Sequence, residues 1–184
     1  MRVIAGQLKG RKLKAPNGLN TRPTTDRVKE SIFSMIHPYL MDSMVLDLFS
    51  GTGSLGIEAL SRGAKKAYFV DHNKQSISII KENISNLGLL DQSVILFSDA
   101  IKALKELALK NEKFDIIFLD PPYAKGLIIP CIQEIQNNLL LRPEGMIVVE
   151  HDPEDQLPEM IEKLHKRKDR RYGNTNISIY SEEA

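Results

Sequence analysis

Hydrophobic and polar positions follow two alternating patterns along most of the chain. Short apolar runs rich in β-branched and aromatic residues, which are typical of buried strands, are separated by longer segments with apolar residues at helical spacing. This alternation predicts βαβ units, and therefore an α/β fold with a mostly parallel sheet and helices on both faces. The apolar runs cover residues 45–49, 67–71, 94–97, 115–119 and 145–149, the helical segments cover residues 54–62, 75–87, 101–110 and 128–139, and residues 177–180 predict a last, antiparallel edge strand.

The region before residue 44 follows a different pattern. Residues 2–15 predict a short hairpin with its turn at residues 6–10, and residues 16–20 predict a loop. Helix-capping residue types follow, and apolar residues then recur at helical spacing until Pro38. The sequence therefore predicts a small N-terminal hairpin, residues 1–20, in front of one larger domain, residues 21–184.

Charge is distributed unevenly between these two parts. Residues 1–29 hold eight of the 25 basic residues and one of the 24 acidic residues, which leaves 17 basic and 23 acidic residues in the remainder. A basic segment on an otherwise acidic protein is typical of a polyanion contact, although a solvated N-terminus has the same composition.

Composition also excludes several classes of protein. Hydrophobic residues make up 42% of the chain, which is enough for a folded core. The single cysteine, Cys131, cannot form an intramolecular disulfide, which fits a reducing compartment, and we interpret it as a core residue. The sequence has no apolar stretch of bilayer length, no signal peptide and no close-set Cys/His pairs. We therefore expect a cytoplasmic protein with neither a membrane span nor a bound metal.

Acidic residues mark the ends of the predicted strands. Asp71, Asp99, Asp120 and Glu150 follow or close four of the apolar runs, and Asp47 lies within the first run. Because ligands of open parallel sheets bind at the carboxyl ends of the strands, we expect these five acids to share one edge, here called the acidic rim.

A glycine loop follows the first predicted strand. Residues 51–56 fit the pattern G-x-G-x-x-G, and Asp71 lies twenty residues after Gly51, as in dinucleotide-binding sites. The acidic rim would repel a pyrophosphate, whereas it suits the ammonium and sulfonium groups of S-adenosylmethionine, so we favour this cofactor. The residues that we expect to hold it are Asp47, Phe49, Ser50, Gly51, Gly53, Asp71, Asp99 and Ala100.

The sequence LDPPY, residues 119–123, ends the fourth predicted strand. An exocyclic amine on a nucleobase needs hydrogen-bond acceptors, which the Asp120 carboxylate and the Pro121 carbonyl can supply. Pro122 would stiffen the loop, and Tyr123 would stack on a base that has left its own stack. An ordinary exit from a strand also uses prolines, but the glycine loop and the acidic rim favour the catalytic interpretation of Asp120–Tyr123.

Motifs along nearly the whole chain resemble one known family, the bacterial small-subunit ribosomal RNA guanine-N2 methyltransferases of the RsmD type. The most family-specific pieces are the N-terminal hairpin and the segment RPTTDRVKESIF, residues 22–33. The cofactor loop around residues 45–59, the DPPY sequence and the turn at residues 172–175 also match, but the cofactor loop and DPPY are shared with many amino-methyltransferases.

The resemblance implies a Rossmann-like class I methyltransferase with a mostly parallel, seven-stranded sheet. It implies methylation of N2 of one guanine in 16S rRNA, within the small subunit or a late assembly intermediate, by a protein that we expect to be a monomer. Expected RNA contacts are Arg2, Lys9, Arg11, Lys12, Arg22 and Thr24. The basic cluster at residues 163–171 fits either a solvated helix face or an RNA contact.

Two other functions stay open at this point. DNA adenine-N6 and cytosine-N4 methyltransferases use the same DPPY chemistry, although they usually need an additional recognition domain. A non-catalytic nucleotide- or RNA-binding module could also keep the fold, although an intact Asp120 and Tyr123 argue against it.

Overall fold

The computed structural model describes residues 1–16, 26–123 and 125–182. These residues form five α-helices and eight strands around one sheet. The helices are α1 (Asp26–Ile36), α2 (Ser54–Ser61), α3 (Lys74–Leu87), α4 (Ala100–Leu109) and α5 (Ile128–Asn137). The strands are β1 (Met44–Asp47), β2 (Lys66–Asp71), β3 (Ser93–Phe97), β4 (Phe114–Leu119), β5 (Leu141–His151), β6 (Met160–Ile161), β7 (Leu164–Tyr172) and β8 (Thr175–Glu182).

The strands lie in the order β3-β2-β1-β4-β5-β8-β7-β6. The first five in this order are parallel to one another, whereas β8, β7 and β6 add an antiparallel extension next to β5. The predicted α/β fold is therefore confirmed, with one strand more than the seven predicted. The extra strand is β6, whose two residues are too few to give a periodic pattern. Residues 177–180 form part of an antiparallel strand, as predicted, but this strand, β8, lies between β5 and β7, so its predicted edge position is wrong.

Helices cover both faces of the sheet and bury two apolar cores. The first core lies under α1, α2 and α3, and the second lies under α4 and α5. Helix α1 contributes Phe33, whose ring centroid lies 5.7 Å from that of Phe118 on β4. Burying one such side chain stabilises the fold by about 1.5–3 kcal/mol. Cys131 is buried in the second core, which agrees with its interpretation as a packing residue.

The N-terminal segment, residues 1–16, forms a hairpin-like turn with a single antiparallel bridge, between Arg2 and Lys12. Val3 N–H donates to the Arg11 carbonyl at 2.9 Å, which closes the turn. Gly6 has φ +82°, and a Cβ there would lie 1.9 Å from the backbone carbonyl oxygen of Ser61. Only glycine therefore allows the segment to lie this close to the end of α2.

The basic cluster at residues 163–171 lies in strand β7 except for its first residue, so the helix-face interpretation of this cluster is wrong. Nearly every residue from 165 to 171 is charged, and such a run carries no apolar period of either kind. The strand conformation is set by its partner β8, which supplies the buried Ile177, Ile179 and Tyr180.

Among the described residues, no helix has both the length and the apolar character needed to cross a membrane.

Candidate functional site

The site lies at the carboxyl ends of the parallel strands, where the order of the sheet reverses. Strand β1 pairs with β2 on one side and with β4 on the other, so the chain leaves β1 and β4 in different directions. Such a switch point opens a crevice in doubly wound sheets. Asp47 ends β1, Asp71 ends β2 and Asp120 follows β4, so the structure brings these three predicted residues to one edge.

The glycine loop is fixed by short hydrogen bonds around Ser50. The Ser50 hydroxyl donates to the Asp47 carbonyl at 2.6 Å and accepts from Val70 N–H at 2.9 Å. Gly51 has φ +56° and Gly53 has φ +81°, conformations that side chains disfavour. A Cβ on Gly51 would meet no atom within 4 Å, so the space beside it is open to a ligand.

Asp71 holds the glycine loop through its carboxylate. Gly51 N–H donates to Oδ2 at 2.9 Å, and Asn73 N–H donates to Oδ1 at 2.8 Å. Each carboxylate oxygen can accept a further hydrogen bond, so both stay available to ribose hydroxyls. Asp71 therefore links the position of the loop to the position of a ligand.

Asp47 is buried beneath the same loop. Its Oδ2 accepts a hydrogen bond from Gly56 N–H at 3.1 Å, in the first turn of α2. Gly56 itself is required by packing, because a Cβ there would lie 2.4 Å from the Phe69 ring. Burial raises the pKa of Asp47 to about 7, the Gly56 hydrogen bond opposes this rise, and the charge of Asp71 adds to it.

Asp120 lies beside other carboxyl groups. Burial raises the pKa of Asp120 well above its usual range, and the neighbouring Glu150 and Asp47 raise it further. The charges that shift the pKa of Asp47 and Asp120 are thus all negative. A cationic ligand would relieve this repulsion and an anionic one would increase it, so the acids fit S-adenosylmethionine and oppose a dinucleotide.

Tyr123 is held by the antiparallel part of the sheet. Its hydroxyl lies 3.0 Å from the Thr175 hydroxyl, and Thr175 is buried at the start of β8. Pro121 is buried and Pro122 is exposed. A cavity of ≈ 180 Å³ opens beside these residues and is lined further by Glu150 and the start of α5. The cavity therefore places a candidate pocket for a small group directly against the DPPY sequence.

Comparison with known proteins decides the family. The family model described as conserved hypothetical protein 95 matches residues 1–181. The chain belongs to this family, the RsmD family.

Individual relatives of this family agree over nearly their full lengths. The chain is 46% identical over 180 residues to the Bacillus subtilis protein named "Putative rRNA methyltransferase YlbH", and the match covers 98% of each. It is 34% identical over 184 residues to the Ribosomal RNA small subunit methyltransferase D of Escherichia coli, a match covering 100% of this chain and 91% of the relative. The solved structure of the Escherichia coli "Putative methyltransferase yhhF" matches with a TM-score of 0.88 and 35% identity, over 100% of this chain and 98% of that one. These matches confirm the family and the fold predicted from the sequence.

Three predicted cofactor residues have other local contacts in the structure. Asp99 is exposed and caps α4, because its Oδ1 accepts a hydrogen bond from Lys102 N–H at 2.9 Å. Ala100 begins the same helix, and Phe49 is half-buried against the second core. Contacts from Asp99, Ala100 and Phe49 to a ligand stay a prediction.

The expected RNA contacts lie mostly on the exposed side of the N-terminal segment. Lys9 and Lys12 are exposed. Arg2 forms an exposed ion pair with Asp26 at 3.0 Å, and Arg11 donates to the Asn86 carbonyl at 2.9 Å. The other two predicted residues, Arg22 and Thr24, fall outside the described residues.

A buried ion pair beneath the N-terminal segment was not predicted from the sequence. Lys29 Nζ lies 3.3 Å from Glu58 Oε2, and both side chains are almost fully buried. Glu58 also accepts hydrogen bonds from Ile4 N–H and Ala5 N–H at 2.9 and 3.0 Å, and from Arg62 Nε at 2.8 Å. Only the i,i+4 spacing of Glu58 and Arg62 was visible in the sequence, and this spacing is common on solvated helix faces.

Asn83 on α3 was also missed, and it joins the N-terminal segment to the glycine loop. Its Oδ1 accepts from Lys14 N–H at 2.7 Å. Its Nδ2 donates to the Lys14 carbonyl at 3.1 Å and to the Thr52 carbonyl at 3.0 Å. One buried amide therefore satisfies backbone groups of both segments.

Proposed function

We propose that this protein transfers a methyl group from S-adenosylmethionine to the exocyclic N2 amine of a guanine in small-subunit ribosomal RNA. The support comes from the RsmD family, to which the chain belongs, and from relatives named as ribosomal RNA methyltransferases. The proposed substrate is 16S rRNA within the small subunit or a late assembly intermediate. The protein would act in the cytoplasm as a monomer.

One observation carries the chemistry: Asp120 and the glycine loop meet at a single edge of the sheet. In the proposed complex, the glycine loop and Asp71 bind the ribose end of the cofactor, and Asp47 supports the loop from below. S-adenosylmethionine supplies an electrophilic methyl group on a sulfonium. Alignment of the amine with this methyl group then lowers the barrier mainly through positioning.

Asp120, Pro121 and Tyr123 would orient the amine. The Asp120 carboxylate and the Pro121 carbonyl accept hydrogen bonds from the two N–H groups, and the Tyr123 ring stacks on the base. Because the amine becomes cationic as the new N–C bond forms, its proton can leave after transfer, and Asp120 can accept it. The raised pKa of Asp120 suits a group that takes up a proton during the reaction.

The test is methyl transfer from labelled cofactor to small subunits that lack the modification, followed by nucleoside analysis. We expect label in N2-methylguanosine, and none with Asp120→Ala, which should still bind cofactor. Label in adenine or cytosine of DNA would support a DNA methyltransferase instead. Cofactor binding without transfer to any of these acceptors would support the non-catalytic module.

A further inference from the structure

The antiparallel extension of the sheet carries a concentration of positive charge. Residues 163–172 hold six basic residues and one acid, Asp169. They lie on a protein that is net acidic outside residues 1–29. The six are Lys163, Lys166, Arg167, Lys168, Arg170 and Arg171.

These side chains have different surroundings. Lys166 Nζ is tied to the Leu157 carbonyl at 2.7 Å and to Glu159 at 2.9 Å, so it serves the fold. Arg167 donates to Ser181 and to the Glu182 carbonyl along the neighbouring strand. Lys168 and Arg170 are both exposed, and Arg170 donates to the Asp169 carbonyl at 3.2 Å.

Strand register places Lys168 and Arg170 on the face of the sheet that carries the site. Arg170 pairs with Ile177, and Ile177 pairs with Glu150 of the acidic rim. Directly paired residues share a face, and Ile177 belongs to the first core, as do residues of the N-terminal segment. Lys168, which pairs with Ile179, lies on the same face.

The hairpin of β7 and β8 also touches the DPPY sequence. Its turn lies at the rim end of β5, because Asn176 pairs with His151 and Tyr172 pairs with Thr175. Thr175 in turn contacts the Tyr123 hydroxyl at 3.0 Å. Strand β7 is three strands from β4, a distance of about 14 Å at ~4.8 Å per strand.

This placement resolves an electrostatic difficulty. The acidic rim suits a cationic cofactor but repels the phosphates of any RNA that reaches Asp120. Positive charge outside the rim must therefore hold the RNA backbone. The N-terminal segment supplies it beside α2 and α3, and the β7–β8 hairpin supplies it on the opposite side of β4.

We infer that Lys168 and Arg170 bind phosphates of the substrate RNA, so that RNA is held on both sides of the target base. This inference rests on the proposed function. Phosphate contacts set the position of a nucleic acid without reading its sequence. The RNA would thus cross the first-core face of the sheet, from the N-terminal segment over the DPPY sequence to the hairpin.

Protection of an exposed sheet edge is the competing explanation. Beyond its short pairing with β6, strand β7 is an edge, and charged residues at edges prevent strand-to-strand association. Acidic residues would protect the edge equally well, whereas RNA binding requires basic ones. The two explanations predict different effects of removing the basic side chains. Edge protection predicts self-association of the protein, whereas RNA binding predicts a lower affinity for RNA.

The experiment compares the parent with Lys168→Ala/Arg170→Ala and with the control Lys105→Ala/Lys113→Ala. Lys105 is exposed on α4, which covers the opposite face, and Lys113 precedes β4 at the amino end of the strand. Affinity for small subunits is measured at several salt concentrations, together with cofactor affinity and the state of association. The charge-retaining variant Lys168→Arg/Arg170→Lys and the length-retaining variant Lys168→Gln/Arg170→Gln give a second comparison if the alanine variant folds poorly.

We expect the log–log salt slope of the hairpin variant to fall by about 1.5, from two lost phosphate contacts, with cofactor affinity unchanged. The control and the charge-retaining variant should keep the parent slope. A hairpin variant with the parent slope would overturn the inference, and self-association with unchanged RNA affinity would establish edge protection. If the parent methylates no ribosomal RNA, the proposed function itself has failed, and this result is distinct from the others.

Discussion

Single residues at the site have more than one task. Asp71 holds Gly51 in place while its carboxylate can accept further hydrogen bonds from a ligand, and Asp47 supports α2 through Gly56. The sequence predicted that these acids would meet, because strand ends in a parallel sheet share an edge. It could not predict their backbone partners, since these depend on the exact path of the glycine loop.

Asp47 makes the stability of the ligand-free protein depend on pH. Its pKa of about 7 lies above the ordinary value, so the folded state binds the proton more tightly than the unfolded state does. Unfolding free energy should therefore fall as pH rises from about 4 to about 7, by an amount on the order of 4 kcal/mol from this group alone. Asp47→Asn, which keeps a neutral side chain, should lose this dependence and become more stable than the parent above pH 7.

Urea unfolding of both proteins between pH 5 and 8 checks this expectation. Saturating S-adenosylmethionine should stabilise the parent more than the variant, because only the parent offers a carboxylate to a cation. Parallel stability curves for the two proteins would show that Asp47 does not titrate in this range.

Tyr123 and Thr175 give a second prediction at this scale. Tyr123→Phe and Thr175→Val each remove the 3.0 Å contact and should reduce kcat/KM by a similar, modest factor, about tenfold or less. Tyr123→Ala should lose far more, because stacking of an aromatic ring on a base contributes about 1–3 kcal/mol. Steady-state kinetics with small subunits as substrate measure these effects. If Tyr123→Phe were as inactive as Tyr123→Ala, the Tyr123 hydroxyl would have a direct role in the reaction.

At the scale of elements, the parallel part of the sheet was predictable and the antiparallel extension was only partly so. Strands β1 to β4 are apolar on both faces, so each gave a continuous apolar run that the structure confirms. Strand β7 has no such pattern, because it is an edge strand beyond its short pairing with β6 and most of its charged side chains are exposed. The docking of the N-terminal segment on α2 was hidden for another reason, since it depends on the buried pair Lys29 and Glu58.

Removal of that pair should loosen the N-terminal segment from α2. Burial lowers the pKa of Lys29, and the nearby Glu58 charge opposes this effect. Glu58→Gln should reduce the unfolding free energy by about 3–5 kcal/mol, because it leaves Lys29 buried without its counter-charge. Chemical denaturation measures the difference.

Glu82→Gln is the matched control. Glu82 binds Lys14 of the same segment at 2.6 Å, but both side chains are about half exposed. Its loss should change stability by less than about 1 kcal/mol. Equal effects of the two substitutions would contradict a special role for the buried pair.

At the scale of the whole molecule, opposite charges are sorted by position. Acids gather at the crevice, and basic residues lie on the N-terminal segment beside it. The overall net charge of +1 conceals this arrangement. The sequence showed the basic N-terminus, but it could not show which basic side chains point to solvent and which are held by the fold.

Replacing Lys9, Arg11 and Lys12 together by Ala should weaken binding to small subunits and lower the log–log salt slope by about two. Cofactor affinity measured without RNA should not change, since these side chains lie outside the crevice. The control is Lys105→Ala/Lys110→Ala/Lys113→Ala, which removes the same charge from the far side of the sheet. Identical log–log salt slopes for the two triple variants would show that the basic N-terminus is a solvated segment without RNA contacts.

The position of Asn83 has a thermodynamic consequence. Its amide binds the backbone of Lys14 and the backbone of Thr52 together, so ordering either segment favours order in the other. If RNA binding orders the N-terminal segment, it must raise the affinity of the protein for the cofactor by some factor. The cofactor must then raise the affinity for RNA by the same factor. Calorimetric titrations of each ligand with and without the other would measure this factor, and Asn83→Ala should reduce it. The two substrates of the enzyme would then bind cooperatively through an amide that belongs to neither binding site.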